Sequence, residues 1–249
     1  MTEITSNISF IGTTEEYNYY KEKSFIDNIS HNSLLSEFHI FYKEDRLILK
    51  NIKKNMELYV DFLSNDIENR INQKTAKLPL IKAIEGKKQI PLNIIDATAG
   101  LGIDSFCMAS RGHRVNAIEK SPIVYSLLKN GLERANCNPK LQDISKRIQL
   151  SYGNALHLID NYNSIDIIYL DPMFPAKKNS AKVKKNMQIL QSLLSYDYDQ
   201  NEKKLFDISS KVANNKVIIK RAKTSRFFAN EVPSSQIIGK SNRFDIYVT

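Results

Sequence analysis

The chain has 249 residues, a formal net charge of +9 and two isolated cysteines, Cys107 and Cys137, which excludes a disulfide scaffold and fits one large domain with a small appendage. No apolar run approaches the ~20 residues that a bilayer requires, and the start lacks a basic-then-apolar segment, so a cytoplasmic protein is expected. In chain order, residues 1–28 are polar, with Tyr17, Tyr19 and Tyr20 clustered, and read as a loosely attached arm. Alternation over 39–51 predicts a hairpin turning at Lys43-Glu44-Asp45. Residues 56–62 add a strand, and 66–85 have helical character interrupted at Pro79. From Pro91 onward strands and helices alternate, the pattern of a doubly wound parallel sheet. Helices are predicted over 121–135, 182–194 and 202–213 and a strand over 216–220, with 235–238 and 244–248 as a closing antiparallel hairpin.

The first strand of that alternating region, 92–96, ends in Asp96 and runs into Ala97-Thr98-Ala99-Gly100-Leu101-Gly102 before a helix through Phe106 and Met108. Gly100 and Gly102 let the backbone approach a ligand closely at the carboxyl edge of a sheet. Nicotinamide and flavin enzymes use a related turn, but their fingerprint wants a third glycine where Ser105 stands, and a plain structural turn is the other reading. The next strand, 114–118, ends in Glu119, roughly 20 positions after Gly100, the separation at which an acid takes two ribose hydroxyls. Strand, glycine turn, helix, strand and terminal acid together favour a nucleoside site over a solvated charge ahead of Ser121-Pro122. A third strand, 148–152, leads into Gly153-Asn154, which would sit beside the adenine or form a simple turn.

The apolar run 165–170 ends in Asp171-Pro172-Met173-Phe174-Pro175. The carboxylate of Asp171 and the carbonyl of Pro172 can both accept hydrogen bonds from one exocyclic amine, and Phe174 offers a face for a base to stack on. An amine conjugated to a base is a weak nucleophile until acceptors draw it toward tetrahedral geometry, so these residues suit methylation of a base nitrogen. Alone, Asp-Pro would more simply form a turn. Between Pro172 and Tyr196 there is no acid, while Lys177, Lys178, Lys182, Lys184 and Lys185 follow the proposed catalytic turn. A second acid-free stretch, between Ile208 and Asn230, carries Lys211, Lys216, Lys220, Arg221, Lys223 and Arg226. Such clusters can guide a polyanion, although a lysine run is more often a solvated face. His31, His39, His113 and His157 form no metal-ligand spacing with the cysteines, so no metal is expected.

Residues 96–104 and 171–175, the run Ser180-Ala181-Lys182-Val183-Lys184-Lys185 with Gln191-Ser192-Leu193, residues 217–221 and the ending Arg243-Phe244-Asp245-Ile246-Tyr247 closely resemble the ribosomal RNA small subunit methyltransferase J family. The resemblance is strong over the last two-thirds of the chain. It implies an α/β fold: a Rossmann-like class I methyltransferase sheet with a C-terminal antiparallel hairpin and a small N-terminal α+β subdomain, divided as 1–88 and 89–249. It implies S-adenosylmethionine as cofactor and transfer of a methyl group to the N2 amine of a guanosine in 16S rRNA, presented as naked RNA, small subunit or assembly intermediate. The family's cofactor contacts fall on Ile103, Asp104, Glu119, Lys120, Gly153, Asn154 and Asp171, beside the turn residues Asp96, Gly100 and Gly102. Ile103 and Lys120 stand where the family usually carries arginine. A DNA amino-methyltransferase and a non-catalytic RNA-binding assembly factor are the rival readings; intact Asp171, Phe174, Glu119 and the glycine turn argue against the second.

Overall fold

The computed structural model describes residues 7–23, 29–72, 78–86, 91–172, 189–190 and 201–249. Its first part builds a small sheet from β1 (Ile8–Phe10), β2 (Ser30–His31), β3 (Phe38–Lys43), β4 (Arg46–Asn51) and β5 (Met56–Leu58), with helix α1 (Thr14–Lys23) between β1 and β2. The spatial order is β2-β1-β3-β4-β5. The expected hairpin forms β3 and β4, paired from Phe38↔Asn51 to Lys43↔Arg46, with Glu44 at φ 57° at the turn. The strand expected over 56–62 ends earlier, at Leu58.

The loosely attached arm is not what the chain forms over residues 8–23. β1 lies inside the small sheet, parallel to both β2 and β3, with Ile8 and Phe10 fully buried. Tyr20 stacks on Phe10 with ring centroids 5.2 Å apart. Thr13 and Glu16 cap α1 reciprocally: the Thr13 amide donates to Glu16 Oε2 at 2.8 Å, and the Glu16 amide to Thr13 Oγ1 at 3.1 Å. A three-residue strand is too short to display alternation, and α1 is polar on all but one face, so composition concealed both.

Two helices follow, α2 (Asn65–Asn72) and α3 (Pro79–Glu85), the second opened by the proline that interrupts the sequence pattern. The larger sheet then collects β6 (Asn93–Asp96), β7 (Arg114–Glu119), β8 (Ile148–Tyr152), β9 (Ile165–Leu170), β10 (Ala213–Ala222), β11 (Ser235–Ile238) and β12 (Asn242–Val248). Its order is β11-β12-β10-β9-β6-β7-β8. Strands β10, β9, β6, β7 and β8 are parallel neighbours, and β12 is antiparallel to β10 and β11. Helices α4 (Ile103–Ser110), α5 (Pro122–Asn136), α6 (Gln142–Ser145), α7 (Ala155–Leu158) and α8 (Glu202–Val212) connect them. β9 is buried on both faces, which is why it reads as an apolar run and not as an alternation. The helix predicted over 182–194 lies outside the described residues, apart from Ile189 and Leu190. Among the described residues no helix is long and apolar enough to cross a membrane.

The two sheets share a core. Phe62 stacks on Phe106 of α4 at 4.2 Å, and a Cβ at Gly131 of α5 would stand 2.4 Å from Val60 Cγ1. Asn130 of α5 accepts from the Leu47 amide and donates to the Asp45 carbonyl, each at 3.0 Å. Arg134 donates to the Val60 carbonyl. Leu80, Ile81 and Ile84 of α3 pack instead with Ile94, Ile218 and Phe244 of the larger sheet.

Candidate active site

In a parallel sheet the carboxyl ends of neighbouring strands lie side by side, and ligands bind outside them. Here β6 ends in Asp96, β7 in Glu119, and β9 runs straight into Asp171. The pairing Ile219↔Leu170 sets Lys220 of β10 beside Asp171.

The turn after β6 is held from three sides. Gly100 and Gly102 adopt φ of 54° and 73°, conformations costly for a side chain, and a Cβ on Gly102 would stand 2.4 Å from Leu128 Cδ1. Asp96 is 1% exposed; its Oδ1 accepts from the Thr98 amide at 3.2 Å and its Oδ2 from Ser105 Oγ at 2.5 Å. Burial pushes its carboxyl up to about 7, against the opposing hydrogen bond from Ser105. Glu119 closes the third side: Oε2 accepts from the Gly100 amide at 2.8 Å and Oε1 from the Ser121 amide at 2.7 Å. Burial raises its pKa, and the amides of Ser121 and Gly100, with the charge and amide of Lys120, work against the rise. The two Glu119 oxygens together carry four lone pairs, more than these amides use.

Gly153 donates its amide to the Glu119 carbonyl at 3.0 Å, bringing the end of β8 to the same edge. Asn154 caps α7, its side chain accepting from the Leu156 amide at 3.0 Å. Ile103 and Asp104 open α4, whose first-turn amides have no carbonyl of their own helix to meet. Lys120 follows Glu119 at the end of β7 and is partly exposed.

Asp171 and Asp104 are joined by a residue that sequence reasoning left among the diffuse basic clusters. Lys220 Nζ donates to Asp171 Oδ2 and to Asp104 Oδ2, both at 2.7 Å. Asp104 Oδ2 also accepts from Tyr169 Oη at 2.7 Å, and its Oδ1 from Arg70 Nη2 at 2.9 Å. The Asp171 backbone amide donates to Thr98 Oγ1 at 2.6 Å, tying the end of β9 to the glycine turn. Burial works against ionisation of Asp104, yet the Lys220 ammonium overrides it, aided by Arg70, and holds that carboxyl below the usual range. Asp171 is pushed the other way, by burial and by Asp104, with Lys220 in opposition.

The Asp104 carboxylate, expected as a ligand contact, is therefore already an acceptor for three side chains. Arg70 and Tyr169 escaped notice because one sits in a polar helix and the other inside an apolar run. Lys220 carried a usable signal, as the polar residue following an apolar strand stretch in a parallel sheet. Pro172 follows Asp171 in the site, whereas Met173, Phe174 and Pro175 and the lysines 177, 178, 182, 184 and 185 lie outside the described residues. Among the described residues no group of three His, Cys, Asp or Glu is gathered as for a metal ion.

A family model described as a putative SAM-dependent methyltransferase matches residues 27–249. A ribosomal RNA small subunit methyltransferase J of Francisella tularensis subsp. novicida is 39% identical over 227 residues, covering 91% of this chain and 93% of that relative. The chain belongs to the ribosomal RNA small subunit methyltransferase J family. The methyltransferase J of Francisella philomiragia is 42% identical over 204 residues, 82% of this chain and 85% of that one. A solved SAM-dependent methyltransferase of Neisseria gonorrhoeae superposes with a TM-score of 0.72 at 29% identity, covering 97% of this chain and 95% of its own. As a member of the methyltransferase J family, the chain is an S-adenosylmethionine-dependent methyltransferase with a Rossmann-like sheet.

Proposed function

We propose that the chain methylates the exocyclic N2 of a guanosine in bacterial 16S rRNA, in the cytoplasm, on the naked RNA, the small subunit or an assembly intermediate of it. The observation that carries this reading is Asp171, 38% exposed at the side chain and fixed at a sheet's carboxyl edge by Thr98 and Lys220, beside the glycine turn. The names of the relatives, which specify small-subunit ribosomal RNA, support the substrate.

The residues suit the cofactor. Ribose hydroxyls need acceptors, and Glu119 keeps acceptor capacity beyond its bonds to backbone amides; the methionine carboxylate needs donors, and the first-turn amides of α4 around Ile103 and Asp104 supply them. Gly100 leaves its ligand side clear of the described residues, among which a Cβ there would meet only the Thr98 carbonyl, at 3.9 Å. We assign Gly102 and Asp96 to the shape of the turn, and Lys120, Gly153 and Asn154 to the nucleoside end. When bound, S-adenosylmethionine would supply an electrophilic methyl group: the N2–carbon bond forms as the methyl–sulfur bond breaks, S-adenosylhomocysteine leaves, and N2 is left with a proton to lose. Asp171 and the Pro172 carbonyl draw the amine hydrogens and hold the nitrogen in line; orientation of this kind contributes about 7 to 11 kcal/mol in well-aligned systems. Asp171 or water takes the proton. Phe174 stacks the base, and Lys177, Lys178, Lys182, Lys184 and Lys185 bind RNA phosphate. The same reading divides the chain into a small α+β subdomain, 1–88, and a catalytic domain, 89–249.

The deciding experiment is incubation of the purified chain and labelled S-adenosylmethionine with bacterial 16S rRNA and small subunits, followed by nucleoside mass analysis. N2-methylguanosine is the expected product; N6-methyladenosine or N4-methylcytidine, or no product, sinks the proposal. For the cofactor site, Glu119→Ala is expected to weaken S-adenosylmethionine binding by about 1.5 to 3 kcal/mol, the range of a charge-assisted hydrogen bond. Calorimetric titration of a folded variant checks it, and unchanged affinity removes Glu119 from the site.

A further inference from the structure

We propose that Lys220 is the positioning residue for Asp171: its ammonium takes one carboxylate oxygen and braces it against Asp104, so that the other oxygen faces the substrate amine as an ionised acceptor. The inference rests on the reading of Asp171 as the group that receives the target amine.

The register explains how Lys220 comes to be there. Ile219 pairs with Leu170, so the next residue of β10 stands beside the next residue after β9. A lysine near the end of a strand would normally extend into water. This one is 21% exposed at the side chain, and Nζ is divided between two carboxylates at 2.7 Å each. Such a bridge desolvates an ammonium, which is tolerated because two anions surround it. Burial lowers the Lys220 pKa, but Asp171 and Asp104 more than offset that, and the ammonium titrates above an ordinary lysine.

Both effects on Asp171 matter to catalysis. A carboxylate side chain rotates about χ2, a broad torsion, and would share its two oxygens between alternative orientations. Lys220 fixes Oδ2; Oδ1 receives no hydrogen bond from any described residue and is the acceptor left for the amine. Among the described residues, the charged and titratable groups facing Asp171 are Lys220 from β10, Asp104 from α4, Asp96 from β6 and Tyr169 from β9, with Arg70 from α2 acting through Asp104. Among them Lys220 is the cation in direct contact with Asp171. Asp104 in turn is held by Arg70 and Tyr169, which keeps the far anchor of the bridge in place.

The test uses the full chain in single-turnover methyl transfer to 16S rRNA at saturating S-adenosylmethionine, across pH 5 to 9. Lys220→Met should slow transfer by about tenfold or more and move the acid limb of the pH–rate profile up by about one unit or more, because loss of the ammonium lets Asp171 protonate at higher pH. Lys220→Arg should recover most of the rate and return the limb toward its original place. Because S-adenosylmethionine is saturating, a change in cofactor affinity does not enter the measured rate. If Lys220→Met fails to fold, Lys220→Gln, which keeps hydrogen-bond donors without charge, carries the same expectation. A folded neutral variant with the parent rate and an unmoved acid limb overturns the proposal. The two readings fail differently: inactivity of the parent chain on 16S rRNA, or full activity of Asp171→Asn, strikes the assigned reaction, whereas an unaffected Lys220 variant beside a disabled Asp171→Asn strikes only the role of Lys220.

Discussion

Asp171→Asn is expected to slow methyl transfer by roughly a hundredfold to a thousandfold while leaving the fold intact. The replacement keeps the shape of the side chain and one carbonyl acceptor, so Lys220 retains a partner, but it removes the negative charge that stabilises the amine as it becomes cationic. A single well-placed electrostatic contact at a transition state supplies ~2.7 to 4 kcal/mol, and that range sets the expected loss. Stability should change little, because the side chain is 38% exposed and the backbone bond from the Asp171 amide to Thr98 does not involve it. Asp171→Ala should be at least as damaging to the rate. Single-turnover transfer to 16S rRNA is the measurement, and a parent-like rate in either variant would falsify the catalytic assignment.

Asp96→Asn should have the opposite character, stabilising the apo protein at alkaline pH. The native carboxyl titrates near about 7 because it is sealed from water, against 3.8 for the free group. Between those values the native state holds a proton that the unfolded chain has released, so stability falls as pH rises through this window. Above it the deficit amounts to about 4 kcal/mol at one pKa unit per 1.36 kcal/mol. Asparagine carries no such burden and keeps both local contacts: its Oδ1 still accepts from the Thr98 amide, and its Nδ2 can donate to Ser105 Oγ in reversal of the present bond. The variant should therefore exceed the parent at pH 8 and converge with it near pH 4. Urea unfolding at several pH values reads this directly; parallel stability curves would mean that Asp96 titrates normally. If the turn holds the cofactor as proposed, Asp96 is a position where function and stability pull apart.

The parts legible in the sequence were those decided locally. The strand ends at Asp96, Glu119 and Asp171 could be read because each acid terminates an apolar stretch, and Gly100 and Gly102 because left-handed backbone demands them. The β3–β4 hairpin and the interruption at Pro79 were visible for the same reason. What escaped was decided by register. Lys220 meets Asp171 across 49 positions and Asp104 across 116, through strand pairing; its local pattern, a polar residue after an apolar stretch, marks its place but not its partners. Tyr169 looked like one more buried aromatic, yet its hydroxyl reaches Asp104. The first residues were misjudged in the other direction: Ile8-Ser9-Phe10 is too brief to stand out from a polar background, although it occupies an interior place in the small sheet.

The shared core between the two sheets also bears on how the chain comes into being. Ile8, Phe10, Ile40 and Leu49 belong to the same packed cluster as Leu127, Leu128 and Leu132 of α5, elements separated by most of the first half of the polypeptide. During synthesis the small sheet leaves the ribosome with an apolar face and nothing to close it. Until Pro122–Asn136 has followed, Val60 has no Gly131 to rest against and Phe62 has waited for Phe106. A nascent chain halted within the small sheet should thus be sticky and protease-sensitive, and acquire protection only as the glycine turn and α5 are being made, so that the earliest segment to appear is among the later ones to settle.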